Sequence, residues 1–246
     1  LAELPLRSQP GEIYHYSVAV DVTGLVVERL SGLPLDEYID TNILKPLQMN
    51  DTFFEVPPKK RDRFVQNHFI NPETGSLINA DYAPAPYGYR KGVALSDYFN
   101  VSLISGGAGL VSTALDYARF AEMLRRGGTL DGARILGPKS VAFMTKNHLS
   151  EPSMHAAWEQ MPTPDIGRPG FGFGLGFGVV TDAAAIGVLG SDGEYNWGGA
   201  AGTIFWVDPT EELVVVSLIQ LMQSPWPLRA DVKVAVYQAL TEIYEE

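Results

Sequence analysis

The sequence predicts an α+β fold: an antiparallel sheet flanked by helices, joined to a mainly helical and loop region. Three observations carry this. Apolar residues recur at helical spacing through the first part of the chain. The last third instead alternates at period two or runs continuously apolar, as strands do. Two of its runs, "AGTIFWV" and "ELVVVSLIQL", are joined by "DPTE", a hairpin connection. Helices first and antiparallel strands later is the α+β order. The division expected is residues 1–165, helical and loop-rich, and residues 166–246, the strands and a closing helix.

Taken in order, Val22, Leu25, Val26 and Leu30 give a first helix from Ala19, closed by Gly32. Leu35, Tyr38, Ile39, Ile43 and Leu44 give a second, ending at Pro46. Residues 66–104 are rich in Pro, Gly, Asn and Tyr without periodicity and read as loops. A third helix starts at a capping-box-like pair, Thr113 and Asp116, buries Phe120, Met123 and Leu124, and ends at Arg125, Arg126 and Gly127. Pro138 opens a short helix to about Lys146. "GFGFGLGFGVV" (170–180) reads as one strand, with its glycines on a face that meets another backbone or a ligand and Phe171, Phe173 and Phe177 opposite. With the two hairpin runs this makes about three strands, and the continuously apolar second run calls for cover on both faces. Val232, Ala235, Val236, Ala239, Leu240 and Ile243 form a closing amphipathic helix. There are no internal repeats.

Composition narrows the function. A chain of 246 residues, 46% apolar and 19% charged, is long enough to bury a substantial core. Its net charge of −11, with no basic cluster beyond "KKRDR" (59–63), argues against nucleic acid and anionic membrane as partners. No apolar stretch reaches the ~18–20 uncharged residues of a bilayer span. Without cysteine there is no disulfide, thiol nucleophile or Fe–S cluster. The four histidines, His15, His68, His148 and His155, lack metal-ligand spacing, and no glycine loop has the context of a phosphate cradle, so neither metal nor cofactor is expected. The chain opens at Leu1 rather than Met, which reads as a processed, nicked or truncated terminus.

There is no G-x-S-x-G elbow, and "SGGAG" (105–109) reads as a tight turn before the third helix. Two segments remain as candidates for chemistry. In "YHYSVA" (14–19) the rings of Tyr14, His15 and Tyr16 cluster at the mouth of the first helix. A tyrosine serves as a general base when a nearby cation lowers its pKa from about 10. In "YNWGGAAGT" (195–203), small residues let the backbone approach a ligand and offer an N–H to a developing oxyanion. Each also has a structural reading: Tyr16 as a packed ring with a hydrogen-bonded hydroxyl, and "GGAAG" as a bulged strand entrance.

Together and in this order, the two segments resemble the serine β-lactamase/penicillin-binding-protein superfamily, in particular the class C β-lactamase-like branch that includes family VIII carboxylesterases. "PGEIYHYSVAVDVTGLVVERLSG" is similar to its second-motif region, with Tyr16 at the catalytic tyrosine. "ILKPLQMNDTFF" resembles the I-x-x-P-L-G-M-x-D-T segment that follows, with Gln48 in place of Gly. "GGAGLVSTALDYARFAEMLRRGG" resembles the downstream helix, and Trp197-Gly198-Gly199 stands where K-T-G belongs. The similarity covers almost the whole chain and implies a β-lactamase-like fold. Two departures matter: Val18 replaces the motif Asn and Trp197 the motif Lys. An apolar pair suits neutral esters better than a β-lactam's amide and carboxylate, so the resemblance implies an esterase before a lactamase.

A third departure is larger. The residues three before Lys45, Lys59, Lys60, Lys91, Lys139, Lys146 and Lys233 are Asn, Val, Pro, Gly, Leu, Phe and Ala, so the chain has no S-x-x-K. It therefore resembles the C-terminal three-fifths of such an enzyme, an incomplete fold whose nucleophilic Ser and Lys are expected on an upstream N-terminal fragment. The resemblance implies a bacterial serine ester hydrolase acting on small carboxylic esters through an acyl-enzyme. Tyr16 would be catalytic, with Ala200 N–H as one oxyanion donor beside Trp197, Gly198 and Gly199, and with His15 and Val18 adjoining the motif. Rival readings are a β-lactamase, a D-amino-acid peptidase or an acyltransferase on the same scaffold, and a non-catalytic binding remnant. Bacterial cytoplasm and periplasm remain equally open.

Overall fold

The strand-forming runs of the last third build one five-stranded antiparallel sheet whose order follows the chain. The computed structural model describes residues 3–6, 8–16, 18–71, 73–80, 97–151, 153, 168–222 and 224–243. The helices are α1 (Ala19–Ser31), α2 (Leu35–Ile39), α3 (Ala114–Arg125), α4 (Pro138–Met144), α5 (Ala183–Ile186) and α6 (Leu228–Tyr237). Two small hairpins pair β1 (His68–Ile70) with β2 (Leu77–Asn79) and β3 (Thr129–Leu130) with β4 (Ala133–Arg134). The main sheet runs β5 (Phe171–Phe173), β6 (Gly178–Val180), β7 (Tyr195–Gly198), β8 (Ile204–Asp208) and β9 (Leu213–Ser217).

Strand alternation sends opposed side-chain sets to the two faces of the sheet. Val179, Tyr195, Phe205 and Val207 join Ala121, Met123 and Leu124 of α3, with Leu44, Leu47 and Met49, in one buried core. On the other face Trp206 stacks on Tyr237 of α6 at 6.4 Å between ring centroids. The Asp208 register opposite Leu213 closes the β8–β9 hairpin at "DPTE". β9 is the last strand of this order and is half-buried throughout, so the full cover expected of its apolar run is not seen among the described residues.

Several expectations need correction. The 170–180 run is a hairpin, β5 against β6, because Gly174 N–H bonds Phe177 O at 2.7 Å and Gly176 turns the chain with φ +96°. That hairpin and β7 raise the strand count of the sheet from three to five. Its glycines do meet neighbours closely: a Cβ on Gly172 would overlap Asn147 and one on Gly174 the Met144 carbonyl, whereas Gly176 faces open space. Phe171 and Phe177 are buried and Phe173 half-buried. The 66–104 stretch contains the β1–β2 hairpin, while residues 81–96 lie outside the described residues. The second helix passes from α2 into a π-turn, Asp40–Leu44.

α1 forms, but its apolar stripe does not enter the core: Val22, Leu25, Val26 and Leu30 are exposed and only Gly24 is buried. The helix packs through its small residue, since a Cβ on Gly24 would stand 2.7 Å from the Leu35 side chain. The pair at the start of α3 is not reciprocal. Thr113 accepts from Asp116 N–H at 3.2 Å, but the Asp116 carboxylate accepts from Asp51 N–H (2.7 Å) and Thr52 Oγ1 (2.9 Å). This ties α3 to the 44–56 segment. The closing helix ends at Tyr237, and Leu240 and Ile243 beyond it are exposed.

Candidate active site

The segment before α1 and the end of β7 lie 180 residues apart in the chain and meet through rings. Tyr16 stacks on Trp197 at 6.1 Å between centroids and 25° between planes. Trp197 meets Phe173 edge-on at 5.3 Å, and Phe173 meets Tyr14 at 5.0 Å. Four rings from three segments thus fix the loop against the sheet, on the same sheet face as Phe205, the register partner of Trp197. Tyr16 remains 59% exposed. Tyr14 is the more buried ring: desolvation, then the neighbouring Tyr16, pushes its hydroxyl up to about 12, which suits packing and not proton transfer at neutral pH.

His15 places a buried Nε2 that has no hydrogen-bond partner among the described residues. Val18 is the residue before α1, its carbonyl accepting from Val22 N–H at 3.1 Å, and its side chain is exposed. The helix start is fixed from below by Asp21. Its carboxylate accepts from Ser105 Oγ (2.5 Å) and Gly107 N–H (3.3 Å), and these bonds lower its pKa, the Ser105 bond most. "SGGAG" is thus a turn, closed by Gly109 N–H on Ser105 O at 3.0 Å, and it also buttresses α1.

Gly198 ends β7 opposite Ile204, and "GAAGT" is the turn into β8 rather than a bulged strand entrance. The turn is closed by Gly199 N–H on Thr203 O (2.8 Å) and Gly202 N–H on Gly199 O (3.0 Å). Ala200 stands exposed at its tip, and its N–H meets no acceptor among the described residues. A Cβ on Gly198 would overlap the guanidinium of Arg229, which the fold brings under the strand end from α6. Sequence reading missed Arg229, a single cation near a helix start with no pattern around it. It also placed Phe173 in the core, without its contact to Trp197. Of the residues singled out, the structure brings Tyr16 to Trp197 and strings Gly198, Gly199 and Ala200 directly beyond that ring.

Among the described residues no cluster of three or more His, Asp or Glu could hold a metal ion, and His155 lies outside them. Among the same residues no helix is long and apolar enough to cross a membrane.

Comparison with known proteins gives consistent matches. The Beta-lactamase family profile matches residues 1–239. Protein Rv1367c of Mycobacterium tuberculosis is 36% identical over 226 residues, covering 89% of this chain and 52% of that protein. Esterase EstB of Burkholderia gladioli is 31% identical over 243 residues, covering 96% of this chain and 57% of that protein. The solved structure of EstCE1, described as a hydrolase with promiscuous acyltransferase activity, superposes with a TM-score of 0.77 at 28% identity, covering 96% of this chain and 59% of that one. The chain thus spans between half and three-fifths of the length of these relatives.

Proposed function

This chain belongs to the Beta-lactamase family, the serine β-lactamase/penicillin-binding-protein superfamily, and from that premise we propose that it supplies the tyrosine and W-G-G portions of a serine ester hydrolase. The observation that carries the proposal is the stack of Tyr16 on Trp197 beside the turn that exposes Ala200 N–H. A proton acceptor and an oxyanion donor, contributed by segments far apart in sequence, flank one surface.

In this scheme the nucleophile is the Ser of an S-x-x-K segment on an upstream N-terminal part of the same protein. The Lys of that segment and Tyr16 take the Ser hydroxyl proton as its oxygen bonds the ester carbonyl carbon. Negative charge gathers on the former carbonyl oxygen, where Ala200 N–H and the N–H of the nucleophile stabilise it. The C–O bond to the alcohol then breaks, and the leaving oxygen receives the proton through Tyr16. Water repeats the attack on the acyl-enzyme and releases the acid. Trp197 and Val18 give this surface an apolar character in place of the motif Lys and Asn, which favours a neutral ester. An alcohol in place of that water gives acyl transfer, the secondary activity attributed to EstCE1.

The test joins this chain to a Ser- and Lys-bearing upstream segment and compares p-nitrophenyl butyrate with nitrocefin. Ester cleavage in preference to nitrocefin supports the proposal. Nitrocefin turnover alone moves the assignment to a lactamase. Ester cleavage by the 246-residue chain without the added segment shows that the nucleophile has been misassigned.

A further inference from the structure

Behind the β7–β8 turn lies an open, mainly apolar groove of about 450 Å³ that the scheme above leaves unused, called the cavity below. His68 and Leu77 line it from the β1–β2 hairpin, and Ile219, Leu221, Trp226 and Leu228 line it from the chain between β9 and α6. The two sides are bound to each other: His68 N–H donates to Gln220 O at 3.0 Å, and Met222 N–H to His68 O at 2.8 Å. Among the described residues the lining holds no Asp, Glu, Lys or Arg, and its polar members are His68, Gln220 and Ser224. Its size falls within the range of small-molecule sites, and an apolar wall without fixed charge disfavours a carboxylate or an ammonium group.

The same wall carries the turn. Leu221 N–H donates to Ala201 O at 2.9 Å, and a Cβ on Gly202 would stand 2.6 Å from the Ile219 side chain. The cavity therefore begins one to two residues along the backbone from Ala200 N–H. We propose that the cavity is the subsite for the neutral, apolar acyl chain of the ester, an assignment that rests on the ester hydrolase reading. The acyl arm fits this position because it stays on the carbonyl carbon through both half-reactions, whereas the alcohol arm must leave toward solvent between them.

Binding can be read without turnover. Butanamide, hexanamide and octanamide are titrated into the protein joined to its upstream segment and followed by Trp226 fluorescence, with Trp226→Phe as background. Each added methylene buried in the cavity is expected to tighten binding about fourfold. Leu77→Asp, at an exposed rim position that tolerates a polar residue, is expected to weaken hexanamide about tenfold. Affinity flat with chain length, an unchanged Leu77→Asp, or octanoate binding as tightly as octanamide overturns the subsite. The two readings fail separately. Ester hydrolysis by the joined protein at rates independent of acyl length defeats the subsite and leaves the hydrolase. Graded amide binding without any ester hydrolysis defeats the hydrolase and leaves an apolar ligand site.

Discussion

At the scale of single residues, exposure decides what a substitution reads. Tyr16 is an exposed residue whose ring is stacked on Trp197, so Tyr16→Phe keeps the stack and removes only the hydroxyl proposed to transfer a proton. In the protein that also carries the nucleophile, kcat for p-nitrophenyl butyrate is expected to fall by about 10²–10⁴-fold, the usual contribution of a general acid–base group. The urea midpoint should stay near that of the parent, and near-parental kcat would remove Tyr16 from the chemistry. Gly174 is the opposite case. A Cβ there would overlap the Met144 carbonyl oxygen, which already accepts from Leu175 N–H at 2.8 Å, so a methyl displaces backbone rather than a side chain. Gly174→Ala is expected to cost about 1–3 kcal/mol, the range for overpacking, read as a lower urea midpoint without a change of slope.

Between elements, α6 is held to the sheet by a buried polar cluster. Glu194, fully buried, accepts from Lys233 Nζ at 2.7 Å and lies 3.0 Å from Tyr237 Oη, with Asn196 Nδ2 at 3.4 Å. Tyr237 Oη also lies 2.6 Å from Asp208 Oδ2. One phenolic proton cannot serve two carboxylates, and one lysine cannot neutralise both. Burial drives the Glu194 pKa upward from its ordinary 4.5, against the pull of Lys233. A carboxyl whose pKa rises on folding adds stability below its unfolded value and loses that stability as pH climbs through the folded value. Stability should therefore decline with pH above about 4.5 through this group. Glu194→Gln, which mimics the protonated acid, should flatten that decline, so that its advantage over the parent grows with pH. Urea midpoints measured from about pH 4 to about pH 8 check this, and parallel curves would refute it. The α3 junction is simpler: Asp116→Ala orphans Asp51 N–H, leaves Thr52 Oγ1 with Ser112 Oγ as its partner, and is expected to cost about 1–3 kcal/mol.

For the molecule as a whole, what was legible in the sequence was whatever local chemistry decides. The Thr113 cap, the Pro138 start and the Asp208-Pro209 turn stand where their residues put them, because each is fixed within a few positions of chain. The β5–β6 hairpin reads as one strand because alternating Gly and Phe keep period two on both arms, and the reversal rests on one bond from Gly174 and the positive φ of Gly176. The exposure of the α1 stripe was not legible, since helical spacing shows that a face is apolar but not what it meets. At the site, the two ring-bearing segments were readable as candidates, but Arg229 beneath Gly198 and the cavity behind the turn depend on chain from α6 and the β1–β2 hairpin. The sheet order has one more consequence, a kinetic one. Every pairing from β5 to β9 joins chain neighbours, so the sheet carries low contact order and its loop-closure cost is small. The Tyr16–Trp197 stack closes a loop of 180 residues and is entropically the dearer step. In refolding, amide protection across Phe205–Val216 should therefore precede the Tyr16–Trp197 contact, and pulse-labelled hydrogen exchange against Trp197 fluorescence orders the two. The surface where Tyr16 meets Trp197 would then form late, so an intermediate with a protected sheet would still lack the pairing of the two ring-bearing segments.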